Sequence, residues 1–392
     1  MYDFDEIVNR RGSGSVKWDA RPPFGIPGEE VIPLWVADMD FKAAPFILDA
    51  LKKRVDHGVF GYVNVPDSYY DAVISWFAGR HGWKMEKEWI LYTTGVVPAL
   101  SAVIKAFCKP SDKVIVQTPV YNCFFSSIRN NGCERLDVPL LYHDSTYSFD
   151  FDALERACAD PKARVLLLCN PHNPAGRVWK ADELERVGKI ARRHGVVVVS
   201  DEIHCEIIMP GHRFVPFASV SAGNQSCCVT LCSPSKSFNI AGLQIANIVT
   251  DNADWLKRID RAVNDNEICD VNPFGVAALQ AAYSEQGARW LEELNEYIFA
   301  NYSLLKEVIT DFPVCKLEGT YLAWIDVSSI GLPSEKMEEE LLRKEKVWVN
   351  AGTMYGTEGF IRVNLACPRS VLSEGLERLR RGLASLAAAC RK

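Results

Sequence analysis

The sequence predicts an α/β fold with a mainly parallel sheet, and three observations carry that expectation. Short β-rich runs alternate with helical patterns through the middle of the chain, as βαβ connections require. Residues 196–200 (VVVVS) are almost continuously β-branched, the composition of a strand covered on both faces. Several short polar motifs follow these runs, at the strand ends where open α/β sheets collect ligands.

In chain order, residues 113–117 (KVIVQ) and 164–169 (RVLLLC) read as strands, the second ending in an Asn/Pro-rich turn. Residues 181–194 place Leu184, Val187, Ile190 and Ala191 on one helical face, and Gly195 is placed to end that helix. The strand 196–200 follows, then 227–232 (CCVTLC) and 245–250 (IANIVT). The alternation defines a large domain over residues 50–285. Beyond it come a helix through Leu291, Leu294 and Ile298 and strands at 321–327 and 359–365. A last helix carries Leu372, Leu376, Leu379, Leu383 and Leu386 on one stripe, the spacing of a core face. Residues 286–392 read as a smaller α+β domain, which residues 1–49 join.

At 392 residues the chain exceeds the roughly 100–200 residues of one ordinary domain. Its 48% apolar and 24% charged content is ordinary for a globular protein with a buried core. A net charge of −6 disfavours nucleic acid and anionic membranes as partners, since both want a basic field. The acidic start MYDFDEIVNRR is unlike a signal peptide, and no run approaches the roughly 18 apolar residues of a membrane span. Thirteen cysteines without an export signal read as small buried hydrophobes in a reducing cytoplasm. Cys227, Cys228 and Cys232 cluster without zinc-ligand spacing, so no metal is expected.

Four motifs carry chemistry. Thr93-Thr94-Gly95-Val96-Val97 enters a helix whose apolar side includes Leu100, Val103, Ile104 and Phe107. Free N–H groups and a positive dipole end suit a phosphate there, although the motif alone is simply a helix start. Asp201 follows a buried run and requires a partner, because an isolated buried charge is costly. An N-cap, a salt bridge or a protonated ring nitrogen would each serve. Residues 170–176 (NPHNPAG) form a tight turn whose Asn amide can donate to an oxyanion, or a plain turn. Ser233-Pro234-Ser235-Lys236 puts a lysine at a strand end, where burial disfavours its charge. A neutral amine attacks carbonyls, the basis of Schiff-base lysines, whereas an exposed loop lysine is the simpler alternative. Together the motifs supply a phosphate cradle, a ring-nitrogen counter-ion, an oxyanion donor and a Schiff-base lysine on successive strand ends. Those are the parts of one cofactor site.

On these residues the sequence resembles the fold-type I pyridoxal-phosphate enzymes of the class I/II aminotransferase superfamily, over nearly its whole length. Residues 34–41 (LWVADMDF), 117–122 (QTPVYN), 170–176, 201–204 (DEIH), 233–244 (SPSKSFNIAGLQ) and 359–369 (GFIRVNLACPR) are similar to the MalY/PatB group of carbon–sulfur lyases. The resemblance implies a large domain with a mainly parallel seven-stranded sheet, a smaller α+β domain, and pyridoxal 5'-phosphate as cofactor. It implies Lys236 as the Schiff-base lysine, Asp201 as partner of the pyridine nitrogen, and Asn173 as donor to the phenolic oxygen, near His204. Tyr121 is implied to stack on the ring and to join Lys236 and Asp201 in catalysis. The backbone of Gly95, Val96 and Val97 is implied to hold phosphate, assisted by Ser233 and Ser235. Tyr62 is implied to reach the phosphate of a neighbouring subunit, which makes a homodimer. Arg362 is implied to take the substrate α-carboxylate bidentately, with Val36, Ala37 and Tyr355 on the substrate side. The chain departs from the wider pattern at Gln244, where many aminotransferases carry arginine, and at Cys123, where proline is usual. Tyr355 replaces phenylalanine in a short loop over residues 352–359.

The implied reaction is β-elimination from an amino acid with a sulfur leaving group. Lys236 removes the α-proton, a thiolate leaves the β-carbon, and pyruvate and ammonia result. L-cystathionine, L-cystine and L-cysteine are the expected substrates, in that order. Transamination is the nearest rival, followed by elimination or replacement on an unusual biosynthetic amino acid. A regulatory protein-binding role on the same fold is a rival of another class. A nicotinamide enzyme is disfavoured because no Gly-x-Gly-x-x-Gly follows a strand.

Overall fold

The computed structural model describes residues 2–23, 26, 30–265 and 270–390. Its central sheet has seven strands: β1 Ile90–Thr93, β2 Lys113–Val116, β3 Glu134–Asp137, β4 Ala163–Cys169, β5 Val197–Asp201, β6 Cys228–Cys232 and β7 Ala246–Val249. Their order is β1-β7-β6-β5-β4-β2-β3. The pairings from β6 through to β3 are parallel, and only β7 runs against its neighbours.

Side-chain alternation explains the β-branched runs. Val165 and Leu167 of β4, with Val197 and Val199 of β5, enter one core with Leu100, Val103 and Ile104 of the helix Val96–Phe107. Leu166, Leu168 and Val198 enter the core on the opposite face. A strand buried on both sides has no polar face, so it reads as a continuous apolar run. Register shifts the expected strand 196–200 by one residue: β5 starts at Val197 and Asp201 is its last residue, opposite Cys169. The expected helix at 181–194 is Ala181–Arg193, and Gly195 follows with a left-handed φ of 68°.

Farther along, β8 Leu322–Asp326, β9 Asn350–Ala351 and β10 Phe360–Asn364 make an antiparallel sheet in the order β8-β10-β9. The helix Arg369–Cys390 buries Leu372, Leu376, Leu379, Leu383 and Leu386, as its stripe requires. Near the N-terminus, Ile32–Pro33 pairs in parallel with Val347–Trp348. Among the described residues no helix is long and apolar enough to cross a membrane.

Candidate active site

The carboxyl ends of β1, β4, β5 and β6 converge on a cavity of about 200 Å³. Ten of the expected site residues line it: Ala37, Gly95, Val96, Val97, Tyr121, Asn173, Asp201, His204, Ser235 and Lys236. Topology explains the convergence. Parallel strands present all their carboxyl ends on one edge, so the loops that leave them share one crevice.

Each wall has its own local cause. Gly95 caps the helix Val96–Phe107, whose first turn leaves N–H groups without intrahelical partners at the cavity. Asn173 is 3% exposed, and its Oδ1 accepts from Arg362 at 3.2 Å. Arginine only donates, so the amide oxygen must face it and the amide N–H₂ remains for another acceptor. Ser233 holds the turn before Lys236: its hydroxyl donates to the Ile245 carbonyl at 2.6 Å and accepts the Ser235 N–H at 3.0 Å. The Ser233 hydroxyl is thus engaged by backbone on both sides, and the residue does not line the cavity. Lys236 Nζ donates to the Ala37 carbonyl at 2.6 Å.

Burial dominates the electrostatics. It pushes the Asp201 carboxyl up to about 7, and neither the Ile203 N–H nor the charge of Lys236 cancels it. His204 is pressed down to about 3, by burial first and then by the charges of Lys236 and Arg362. Its imidazole is therefore neutral, and its buried Nδ1 has no hydrogen-bond partner among the described residues. Burial, reinforced by Arg362, also lowers the Lys236 amine below the ordinary lysine range. The Tyr121 phenol is raised by burial and by its contact with Cys123. The arrangement can hold a group that is cationic beside Asp201, anionic at the helix start and carbonyl-bearing at Lys236.

The other expected residues do not line this cavity. Arg362 is 3% exposed on β10, donates to the Trp35 carbonyl at 2.7 Å, and lies over the Tyr355 ring at 4.8 Å. Its Nε is buried without a hydrogen-bond partner among the described residues. Tyr355 is buried, with its hydroxyl 2.9 Å from Asn350 Nδ2. Val36 contributes its carbonyl to Asn364. Tyr62 is 94% exposed and does not line its own chain's cavity. Sequence reasoning missed Pro98, Cys169, Ile203 and Ala241, which also line the cavity. Cys169 and Ile203 were within reach, since one ends β4 and the other lies two residues past Asp201.

Known proteins match this chain along most of its length. A sequence profile of the aminotransferase class I and II family matches residues 29–379. The chain is 42% identical over 390 residues to cystathionine beta-lyase PatB of Bacillus subtilis, covering 97% of this chain and 100% of that protein. It is 33% identical over 385 residues to protein MalY of Escherichia coli, covering 96% and 97% respectively. Among solved structures, cystalysin from Treponema denticola, which contains pyridoxal 5'-phosphate, superposes with a TM-score of 0.93 at 37% identity, covering 98% of this chain and 100% of that one. A profile match of that extent, with relatives of this identity, makes the chain a member of the aminotransferase class I and II family.

Proposed function

We propose that this protein is a pyridoxal-phosphate-dependent carbon–sulfur β-lyase that cleaves L-cystathionine or related cysteine S-conjugates to a thiol, pyruvate and ammonia. The observation that carries the reading is the Lys236–Asp201–Asn173 cavity on a chain 42% identical to a cystathionine beta-lyase. The residues fit the cofactor: a buried carboxyl wants a cation, a helix start wants an anion, and the unpartnered His204 Nδ1 and Arg362 Nε await acceptors or donors. Bound there, pyridoxal phosphate supplies an electron sink for charge at the substrate's α-carbon.

Asp201 would hold the ring-nitrogen proton, and Asn173 would donate an amide hydrogen to the phenolic oxygen, with neutral His204 lining the same cavity. Gly95, Val96 and Val97 would offer backbone N–H groups to the phosphate, assisted by Ser235, and Tyr121 would stack on the ring. Arg362 binds the substrate α-carboxylate, with Val36, Ala37 and Tyr355 on that side. Lys236 would hold the cofactor's aldehyde carbon, and its amine, set free when the substrate's amine takes its place, would take the α-proton at Nζ and pass one to the departing sulfur. The depressed basicity of Lys236 favours the neutral amine that such a base requires.

The reading extends to the whole protein. A homodimer with Tyr62 reaching the partner's site is supported by exposed Val55, Val59, Phe60 and Tyr62 on one short stretch of chain. Twelve described cysteines are free thiols, which supports a reducing cytoplasm. Domains at 50–285 and 286–392, the latter joined by 1–49, are supported by the separate sheets and by the Ile32–Pro33 pairing.

L-cystathionine added to the purified protein is expected to give pyruvate and free thiol without any acceptor. A visible absorption band is expected as well, abolished in Lys236→Ala. No band in the parental protein would sink the cofactor assignment, and turnover that needs a 2-oxo acid would sink the lyase assignment.

A further inference from the structure

Residues 35–39 are irregular backbone, and five successive carbonyls along them are each taken by side chains from elsewhere. Trp35 O accepts from Arg362 at 2.7 Å and from Asn350 Nδ2 at 2.9 Å. Val36 O and Asp38 O share Asn364 Nδ2, at 2.5 and 2.6 Å. Ala37 O accepts from Lys236 Nζ at 2.6 Å and from the Tyr321 hydroxyl at 2.9 Å. Met39 O accepts from Arg10 and from Asn239, each at 3.0 Å. This one stretch therefore touches Lys236 through Ala37 and Arg362 through Trp35, and it sets the spacing of the two cations of the site.

A charged quartet, in which Lys17 and Asp40 are buried and Arg10 and Asp38 partly exposed, anchors the stretch. Asp40, 4% exposed, accepts from Lys17 Nζ at 2.7 Å, Arg10 at 2.6 Å and Trp18 Nε1 at 2.7 Å. Arg10 also donates to Asp38 at 2.6 Å, and Lys17 is 1% exposed. None of these four residues lines the cavity. Buried ion pairs add little stability over a well-packed apolar replacement, because desolvation offsets their attraction. Two anions and two cations, shared among fixed donors, instead specify one geometry for the backbone between them.

The geometry points to Asp40 as a positioning residue for the Lys236 amine: through the quartet it fixes residues 35–39, so that the Ala37 carbonyl receives Nζ whenever the amine is not bonded to cofactor. The inference rests on the cofactor reading of Lys236 given above. A carbonyl acceptor favours the ammonium form and returns the amine to one place between its bond-breaking and proton-transfer tasks. Arg362, Asp38, Asp201, Cys123 and His204 face the same amine and stay unchanged in the test that follows.

Two variants separate positioning from support of the fold. The double variant Lys17→Met, Asp40→Asn removes a charge pair without stranding a buried ion. Arg10→Gln releases Met39 and Asp38 but keeps the Lys17–Asp40 contact. Both are expected to melt near the parental temperature, yet to lose on the order of 10²-fold in kcat with a smaller change in KM. In cofactor-stripped full-length protein, the pH midpoint for labelling Lys236 with an amine-reactive reagent is expected to fall, because the ammonium loses its acceptor. Arg10→Lys is expected to recover part of both effects. Folded variants with parental kcat and labelling midpoint would overturn the inference, as would failure of both variants to fold. Absence of the Lys236-dependent absorption band in the parental protein would overturn the cofactor reading instead.

Discussion

Asp201 is 3% exposed at the end of β5, and its carboxyl is pushed by burial from an ordinary 3.8 to about 7. The folded chain therefore binds this proton more tightly than the unfolded chain does. Its stabilising effect is complete below about 3.8 and is lost as pH rises through about 7. For cofactor-free protein, thermal unfolding between those limits is expected to show stability falling with pH. The slope should exceed that of Asp201→Asn by roughly 1.4 kcal/mol per pH unit. Equal slopes would mean that Asp201 ionises as an ordinary aspartate. Glu202, pushed up to about 8 chiefly by burial, has the same sign and is common to both proteins. A carboxyl after a β-branched run was legible in the sequence as one that needs a partner; its neutral neighbour His204 was legible only by resemblance. The fate of the Ser233 hydroxyl was hidden, because its acceptor, the Ile245 carbonyl just before β7, lies twelve residues away.

Among the elements, the sheet interior was the most legible part. β4, β5 and β6 are buried on both faces and carry little but apolar side chains. β1 and β3 were not anticipated. They are the two edges, and Glu134–Asp137 is mostly exposed and charged, as an edge strand must be to avoid pairing with other chains. The helix Glu285–Val308 shows how an element remote in sequence supports the site. Its Trp290 stacks on Phe238 with ring centroids 5.4 Å apart, two residues beyond Lys236. A Cβ on Gly287 in its first turn would stand 1.8 Å from the Ala282 carbonyl and 3.3 Å from Phe238 Cζ. Backbone cannot yield as a flexible side chain does, so Gly287→Ala is expected to destabilise the protein by about 1–3 kcal/mol or more. A lowered denaturation midpoint checks this, and an unchanged one would mean that the helix start shifts freely.

At the scale of the whole molecule, one chain leaves Tyr62 94% exposed although the motif pattern assigns it to a cofactor site. If that site is the partner's, mixing two inactive variants restores function. Tyr62→Ala and Lys236→Ala, unfolded and refolded together, are expected to recover roughly a quarter of parental activity, because half the dimers are mixed and each has one complete site. No recovery from a mixture shown to contain mixed dimers would place Tyr62 outside catalysis. By itself, the sequence determined the parallel sheet, the strand-end location of Lys236, Asp201, Asn173 and Gly95, and the buried stripe of the last helix. These follow from periodicity and from local turn chemistry, which a linear pattern records. Only the tertiary structure decided that Ser233 faces backbone, that Arg362 contacts Asn173, and that Arg10, Lys17 and Asp40 brace the stretch carrying Ala37. Those contacts join residues far apart in the chain, and their energy comes from burial that exists only after folding.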